Sequence, residues 1–63
     1  MIVEIYKKVN TGKQRKYVLL TTKNIECVPQ KDTFIHFSGQ FFAVERVCFD
    51  ADSCKYYIYT KRI

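Results

Sequence analysis

Apolar and polar residues alternate with a period of two along most of the chain. In residues 1–9 the aliphatic side chains of Val3, Ile5 and Val9 alternate with polar or aromatic ones. Successive side chains of a β-strand point to opposite faces, so this pattern is typical of a strand with one covered face. The same period recurs along the chain and predicts strands at residues 1–9, 15–22, 33–38, 41–49 and 55–60.

Residues with strong turn preferences separate the predicted strands. Asn10-Thr11-Gly12 follows the first strand, and asparagine and glycine both accept the positive φ of a tight turn. Ser38-Gly39-Gln40 predicts a tight hairpin, and Asp50-Ala51-Asp52-Ser53 predicts another turn. Pro29 interrupts the pattern between residues 23 and 32, because proline cannot donate a hydrogen bond to a strand ladder.

The register of the first hairpin depends on the length of its loop. A turn that pairs Asn10 with Lys13 places the aliphatic side chains of both strands on one side. This register sets three pairs opposite each other: Tyr6 and Tyr17, Ile5 and Val18, and Val3 and Leu20. A three-residue loop would instead set Ile5 against Tyr17. The aliphatic match favours the first register.

The fourth strand carries an irregular apolar pattern, with spacings of 2, 3 and 2 between Phe42, Val44, Val47 and Phe49. A bulge near residues 45–46 would bring all four side chains to one face and bend the strand. Bending lets a small sheet curl, which buries apolar surface and shortens its edges. We therefore expect one all-β domain over residues 1–63, a five-stranded antiparallel meander that curls into a partly open SH3-like or OB-like barrel.

The composition fits a small folded protein. The chain has 63 residues, of which 48% are hydrophobic, with five Phe and five Tyr. These proportions exclude a disordered segment. No apolar run reaches the length of about 18 residues that a membrane span needs, and the first residues, MIVEIYKK, lack the pattern of a secretion signal. We expect a soluble, cytoplasmic protein that is not secreted and has no membrane partner.

The three cysteines, Cys27, Cys48 and Cys54, fit no disulfide framework, because their number is odd and their spacing irregular. This usage indicates reduced thiols in a cytosol. One pairing stays open. If Cys48 and Cys54 flank a short loop and lie opposite each other on neighbouring strands, a bridge could form in an oxidising setting.

The second half of the chain resembles a group of small β-proteins of bacterial mobile elements and phages. The residues that carry the resemblance are Val28-Pro29, Asp32, Phe37, Gly39, Phe42, Val44, Val47, Phe49-Asp50, Asp52 and Ile58-Tyr59. They are turn and core positions, so the resemblance implies an SH3-like fold and no active site. Thr33 and His36 depart from the pattern, and the basic first hairpin lies outside the region of resemblance.

No motif points to catalysis or to a metal. His36 is the only histidine, and no spacing brings Cys27, Cys48 or Cys54 to it with an orienting third group. The same four residues contain no Cys-x-x-Cys pair that would begin a zinc site. Asp50-x-Asp52 lacks the later glycine and glutamate of a calcium loop. We therefore expect a protein that is not an enzyme and needs no cofactor or metal.

Basic residues give the strongest functional indication. The chain has a net charge of +5, and every charge between Glu4 and Glu26 is positive. A hairpin tip would concentrate these charges and attract phosphates. In the last strand, alternation places Lys55, Tyr57, Tyr59 and Lys61 on one face, where tyrosines stack on bases while lysines contact the backbone. The predicted nucleic-acid-binding residues are Lys7, Lys8, Lys13, Arg15, Lys16, Tyr57, Tyr59 and Lys61.

A different function explains the same residues. Lysine on edge strands and hairpin tips blocks edge-to-edge aggregation, and tyrosine is a good strand former. The hypothesis is thus a small basic binding module that contacts DNA or RNA. The alternative is a protein-protein adaptor or oligomer-forming accessory subunit of a bacterial or phage system that associates through an edge strand. Exposed aromatic residues would favour the adaptor, whereas a steep salt dependence of binding would favour nucleic acid.

Overall fold

The computed structural model describes residues 1–10 and 12–63 in full, and residue 11 by its backbone only. The described residues form five strands and no helix. The strands are β1 (Ile2–Thr11), β2 (Gln14–Asn24), β3 (Phe34–Phe37), β4 (Gln40–Asp50) and β5 (Lys55–Arg62). All five predicted strands are present, so the all-β prediction is confirmed, with ends that differ by at most two residues.

The strands form one sheet in the order β2-β1-β5-β4-β3. The central strands β1 and β5 run parallel, and the other neighbouring pairs are antiparallel. The predicted antiparallel meander is therefore wrong in its central pairing. The reason is the connection at residues 25–33, which carries the chain from one edge strand, β2, to the other, β3, and leaves the second side of β1 free for β5. The sheet curls into a half-barrel, as the predicted partly open barrel requires.

The connection at residues 25–33 covers one face of the sheet. The amide of Ile25 donates to the carbonyl oxygen of Met1 at 2.9 Å, which fixes its first end beside β1. The amide of Asp32 donates to the carbonyl oxygen of Val44 at 2.9 Å, and this fixes its second end on β4. Between these anchors Ile25 and Val28 pack against the core. A segment held at both ends of the sheet excludes water from the face beneath it.

The core lies on this covered face, which we call the inner face. Its buried apolar residues are Val3, Ile5, Phe42, Val44 and Ile58, from the three strands β1, β4 and β5. Partly buried side chains surround them: Leu20, Ile25, Val28, Ile35, Val47 and Tyr56. Thr60 is also fully buried, and its hydroxyl donates to the carbonyl oxygen of Tyr6 at 2.8 Å. The buried hydroxyl is therefore satisfied, as most buried polar groups are.

The bulge predicted in β4 is confirmed. Val44 pairs with Thr60 and Arg46 with Tyr59, so that Glu45 is an extra residue in the ladder between them. Four apolar side chains of β4 lie opposite the inner-face residues of β5 as a result: Phe42, Val44, Val47 and Phe49. The same extra residue turns Arg46 to the opposite side, which we call the outer face.

The predicted register of the first hairpin is wrong by two residues. The turn consists of Gly12 and Lys13, and it sets Lys8 opposite Tyr17. Gly12 has a φ of +60°, as the first central residue of a type II′ turn requires. The predicted turn would have put the β-branched residue Thr11 in that conformation, which is sterically costly. A second irregularity, between Ile5 and Tyr6, then sets Ile5 against Thr21.

The tight hairpin predicted between β3 and β4 is present. Ser38 and Gly39 form its two-residue turn, with φ values of +53° and +75°. Two consecutive positive φ angles are the mark of a type I′ turn, whose twist matches that of the flanking strands.

The cysteine pairing left open by the sequence is wrong. Cys48 lies opposite Tyr57, while Cys54 closes the turn after β4 with a φ of +56°. Cys54 therefore belongs to the turn and does not face Cys48 across the ladder. All three cysteines are free and exposed.

Candidate nucleic-acid interface

Four tyrosines cluster on the outer face. The parallel register sets Tyr6 beside Tyr59 and Glu4 beside Tyr57. The Tyr6 and Tyr59 rings stack with centroids 5.6 Å apart, and Tyr17 of β2 meets Tyr59 edge-on at 4.9 Å. Tyr57 meets Tyr6 edge-on at 6.2 Å. The prediction that Tyr57 and Tyr59 share one face with Lys55 and Lys61 is confirmed by this register.

Arg46 completes the cluster. Its guanidinium carbon lies 4.5 Å from the centre of the Tyr59 ring, within cation–π range. The Tyr59 ring therefore already contacts Tyr6, Tyr17 and Arg46, and much of its surface is engaged inside the protein. Sequence reasoning missed Arg46. The irregular spacing in β4 could have identified it, since the bulge that faces Val47 inward also faces Arg46 outward.

Glu4 and Asp50, two acidic groups of the outer face, accept hydrogen bonds from their neighbours. The Tyr6 hydroxyl donates to Oε1 of Glu4 at 2.6 Å, and Nζ of Lys55 donates to Oε2 at 3.4 Å. The Tyr6 hydrogen bond is the main cause that lowers the pKa of Glu4, and Lys55 adds to it. Hydrogen bonds from Ser53, Tyr57 and the Asp52 amide lower the pKa of Asp50. Both carboxylates stay ionised and accept these hydrogen bonds.

The hydrogen bond to Glu4 raises the pKa of Tyr6 to about 12 from its ordinary value of 10.0, and desolvation adds to the rise. A phenol whose pKa is higher in the folded state stabilises that state below pH 10 and loses this contribution as the pH rises towards 12. We expect ultraviolet titration to show one late-ionising tyrosine that Tyr6→Phe removes. Glu4→Gln should move the late transition back towards 10. A titration curve unchanged by both substitutions would contradict this assignment.

The hairpin cations are divided between the two faces. Lys8 and Arg15 pair with Tyr17 and Asn10 on the outer face. Lys7 and Lys16 occupy the alternate, inner-face positions, and Lys13 lies in the turn. The structure therefore brings Lys8 and Arg15 to the face of Tyr57, Tyr59 and Lys61, and it separates Lys7 and Lys16 from them.

Most of these cations lack an acidic partner. Within residues 1–10 and 12–63, ion pairs join Lys8 to Glu45 at 3.9 Å and Lys55 to Glu4 at 3.4 Å, and no others are present. The cations without such a partner include Lys7, Lys13, Arg15, Lys16 and Lys61. From Lys8 to its tip, β1 pairs with β2 alone, so the hairpin extends past the central ladder. An extended ribbon with unpaired cations on both faces attracts anions.

A second exposed feature lies at the β3 end of the outer face. Phe34 and Phe41 are 67% and 58% exposed, and the His36 ring stacks on Phe41 at 4.6 Å. A groove of about 530 Å³ is lined by Phe34, Gly39, Gln40, Phe41, Arg62 and Ile63, and we call it the aromatic groove. Sequence reasoning missed it. Alternation along β3 does indicate that Phe34 and His36 face away from the core residue Ile35.

The part of the chain that the structure describes brings together no three His, Cys, Asp or Glu side chains that could hold a metal ion. It also contains no helix of the length and apolarity needed to cross a membrane. Comparison of the chain with protein-family models, curated proteins and solved structures found no match.

Proposed function

We propose that this protein is a small basic binding module without enzymatic activity, which contacts nucleic acid through the β1–β2 hairpin. The observation that carries the proposal is the charge of this ribbon. Residues 7–16 hold five cations and no acid, and the hairpin extends beyond β5. Phosphate groups are the anions best matched to such a ribbon, because each bound phosphate releases condensed counterions.

The proposed contact has two parts. Sequence-independent contacts to phosphates come from Lys13, Arg15 and the inner-face pair Lys7 and Lys16. Lys8 and Lys61 continue the positive surface along the outer face, beside the tyrosine cluster. Because Tyr59 is held by its neighbours, Tyr17, at 40% exposed, is the better placed of these rings to meet a base. Binding of this kind is strongly dependent on salt.

The salt dependence gives the test. About four phosphate contacts predict an affinity that falls on the order of 100-fold between about 50 and 200 mM salt. We expect an NMR titration with a short oligonucleotide to shift the amides of residues 8–17 at the lower salt and to show far weaker binding at the higher. Binding of equal strength at both salt concentrations, or shifts confined to β3 and β4, would contradict the proposal.

A finer assignment of the fold belongs to the same proposal. We assign the half-barrel to the SH3-like or OB-like class, in which OB-folds bind oligonucleotides on the sheet surface. The cellular setting we propose is that of an accessory protein in the cytoplasm of a bacterial or phage system, as the resemblance over residues 28–59 implies.

Adaptor function is the second candidate, and the open edge of β2 favours it. Tyr17, Val18 and Leu19 are 40–48% exposed along this edge, which has no neighbouring strand. A partner strand could add there by main-chain pairing. However, Arg15, Lys16 and Lys23 flank these residues, and charge of this kind protects edges from pairing. Self-association that persists at high salt would support the adaptor.

A further inference from the structure

The aromatic groove combines exposed rings with positive charge. Phe34 and Phe41 lie on adjacent strands at diagonal positions, since Phe34 pairs with Ala43 and Phe41 with His36. Both side chains lie on the outer face and are more than half exposed. Two phenylalanines so exposed on a small sheet mark a site of contact, because soluble proteins rarely display large apolar side chains side by side without a partner.

A positive charge lies beside the groove. Lys61 pairs with Ala43, which in turn pairs with Phe34, so Lys61 and Phe34 lie about 10 Å apart in one cross-strand row. Arg62 lines the end of the groove, although its pairing with Phe42 places it on the inner face, and the six lining residues of the groove include no acid. An occupant that is apolar and planar in one part and anionic in another complements this arrangement. A nucleotide has both parts.

We propose that the aromatic groove takes an unpaired base, with the adjacent phosphate held by Lys61, so that the protein prefers single-stranded nucleic acid to duplex. This inference rests on the proposed function and names its substrate class. Bases in a duplex are stacked on their neighbours and present no free face, whereas single strands expose bases that stack on aromatic side chains. Phe34 and Phe41 can therefore discriminate between the two forms, which the hairpin cations alone cannot.

The groove and the hairpin can act on one strand. At the base of the hairpin, Tyr17 of β2 pairs with Lys8 of β1. At the other side of the sheet, Lys61 pairs with Ala43, and Ala43 pairs with Phe34. The edge strands β2 and β3 are four strand spacings apart, or about 19 Å. A single strand of a few nucleotides crosses this distance along the outer face, over surface that carries Lys8 and Lys61.

Substitution of the exposed rings tests the inference. We expect the intact protein to bind oligo-dT or oligo-U more tightly than a duplex of equal length. Phe34→Ser and Phe41→Ser should each weaken binding to the single strand by about 5- to 100-fold and leave binding to the duplex unchanged. The matched control is Phe49→Ser, because Phe49 is 52% exposed but lies on the inner face beside Tyr56. This control should bind both forms as the parent does.

A fluorescent variant reports stacking directly. The chain has no tryptophan, so the F34W variant carries a single indole in the groove. Its emission should be quenched by oligo-dT or oligo-U and not by the duplex. Equal affinity for single strands and duplex, with both serine variants binding as the parent does, would overturn the inference and leave the proposed function intact. If the parent protein binds neither oligo-dT, oligo-U nor the duplex at low salt, that result would overturn both the inference and the proposed function.

Discussion

Reversal of two charges at the hairpin tip, Lys13→Glu with Arg15→Glu, should lower affinity for a short oligonucleotide by about 100-fold or more at low salt. The double variant removes two phosphate contacts and adds two repulsive charges at the same place, which lowers the net charge from +5 to +1. Both side chains are exposed, and neither has an acidic partner among the described residues. We therefore expect the fold to persist, with early elution from a heparin column as the measured result.

A control variant separates the effect of charge position on affinity from the effect of net charge. Lys23→Glu with Lys31→Glu gives the same net charge of +1, but these residues lie at the far end of β2 and in the connection to β3. This control variant should keep most of the affinity and elute between the parent and the hairpin variant. If the hairpin variant is retained as strongly as the parent, the hairpin is not the contact. If both variants elute together, net charge alone governs binding.

The elements of this fold could be predicted from the sequence because their causes are local. Alternation in β1 depends only on which side chains avoid water, and the covered positions Val3 and Ile5 are indeed buried. The bulge in β4 could also be predicted, since the spacing of its four apolar residues fits one face only with an extra residue. Each of these features is decided within a single strand.

The order of the strands could not be predicted in the same way. Periodicity states which face of a strand is covered but not which strand lies beside it. The parallel pairing of β1 with β5 joins residues more than 50 positions apart, such as Ile2 and Lys55. It exists because residues 25–33 cross the inner face, where Ile25 and Val28 replace water over the core. The stability gained by covering the core depends on the assembled sheet, and no local sequence pattern predicts it.

The same distinction between local features and contacts between strands applies to the candidate site. Alternation in β5 correctly placed Tyr57, Tyr59 and Lys61 on one face. The aromatic groove escaped prediction because its lining comes from β3, β4 and the end of the chain, and these segments meet only after the sheet has formed. The engagement of Tyr59 by Arg46 likewise depends on the bulge and the final register. Contacts between strands thus required the structure.

The second large effect is expected in the core, where Ile58→Ala should remove much of the stability of the fold. Ile58 is fully buried on β5 between Ile5 of β1 and Val47 of β4, so it joins the two halves of the sheet. Truncation of a buried isoleucine to alanine costs about 2–5 kcal/mol. A chain of 63 residues has a free energy of unfolding of only about 3–9 kcal/mol in total. We therefore expect the melting temperature to fall by about 10–30 °C.

The matched control is Ile2→Ala, because Ile2 belongs to β1 but is 43% exposed on the outer face. Its loss should cost less than about 1 kcal/mol, since much of its surface is already in water. Ile58→Val should fall between the two, at about 0.5–1.5 kcal/mol. Thermal melts followed by circular dichroism measure all three. Equal melting temperatures for Ile58→Ala and Ile2→Ala would mean that the parallel β1–β5 pair does not enclose the core, and the faces that present the cations and rings would then have to be reassigned.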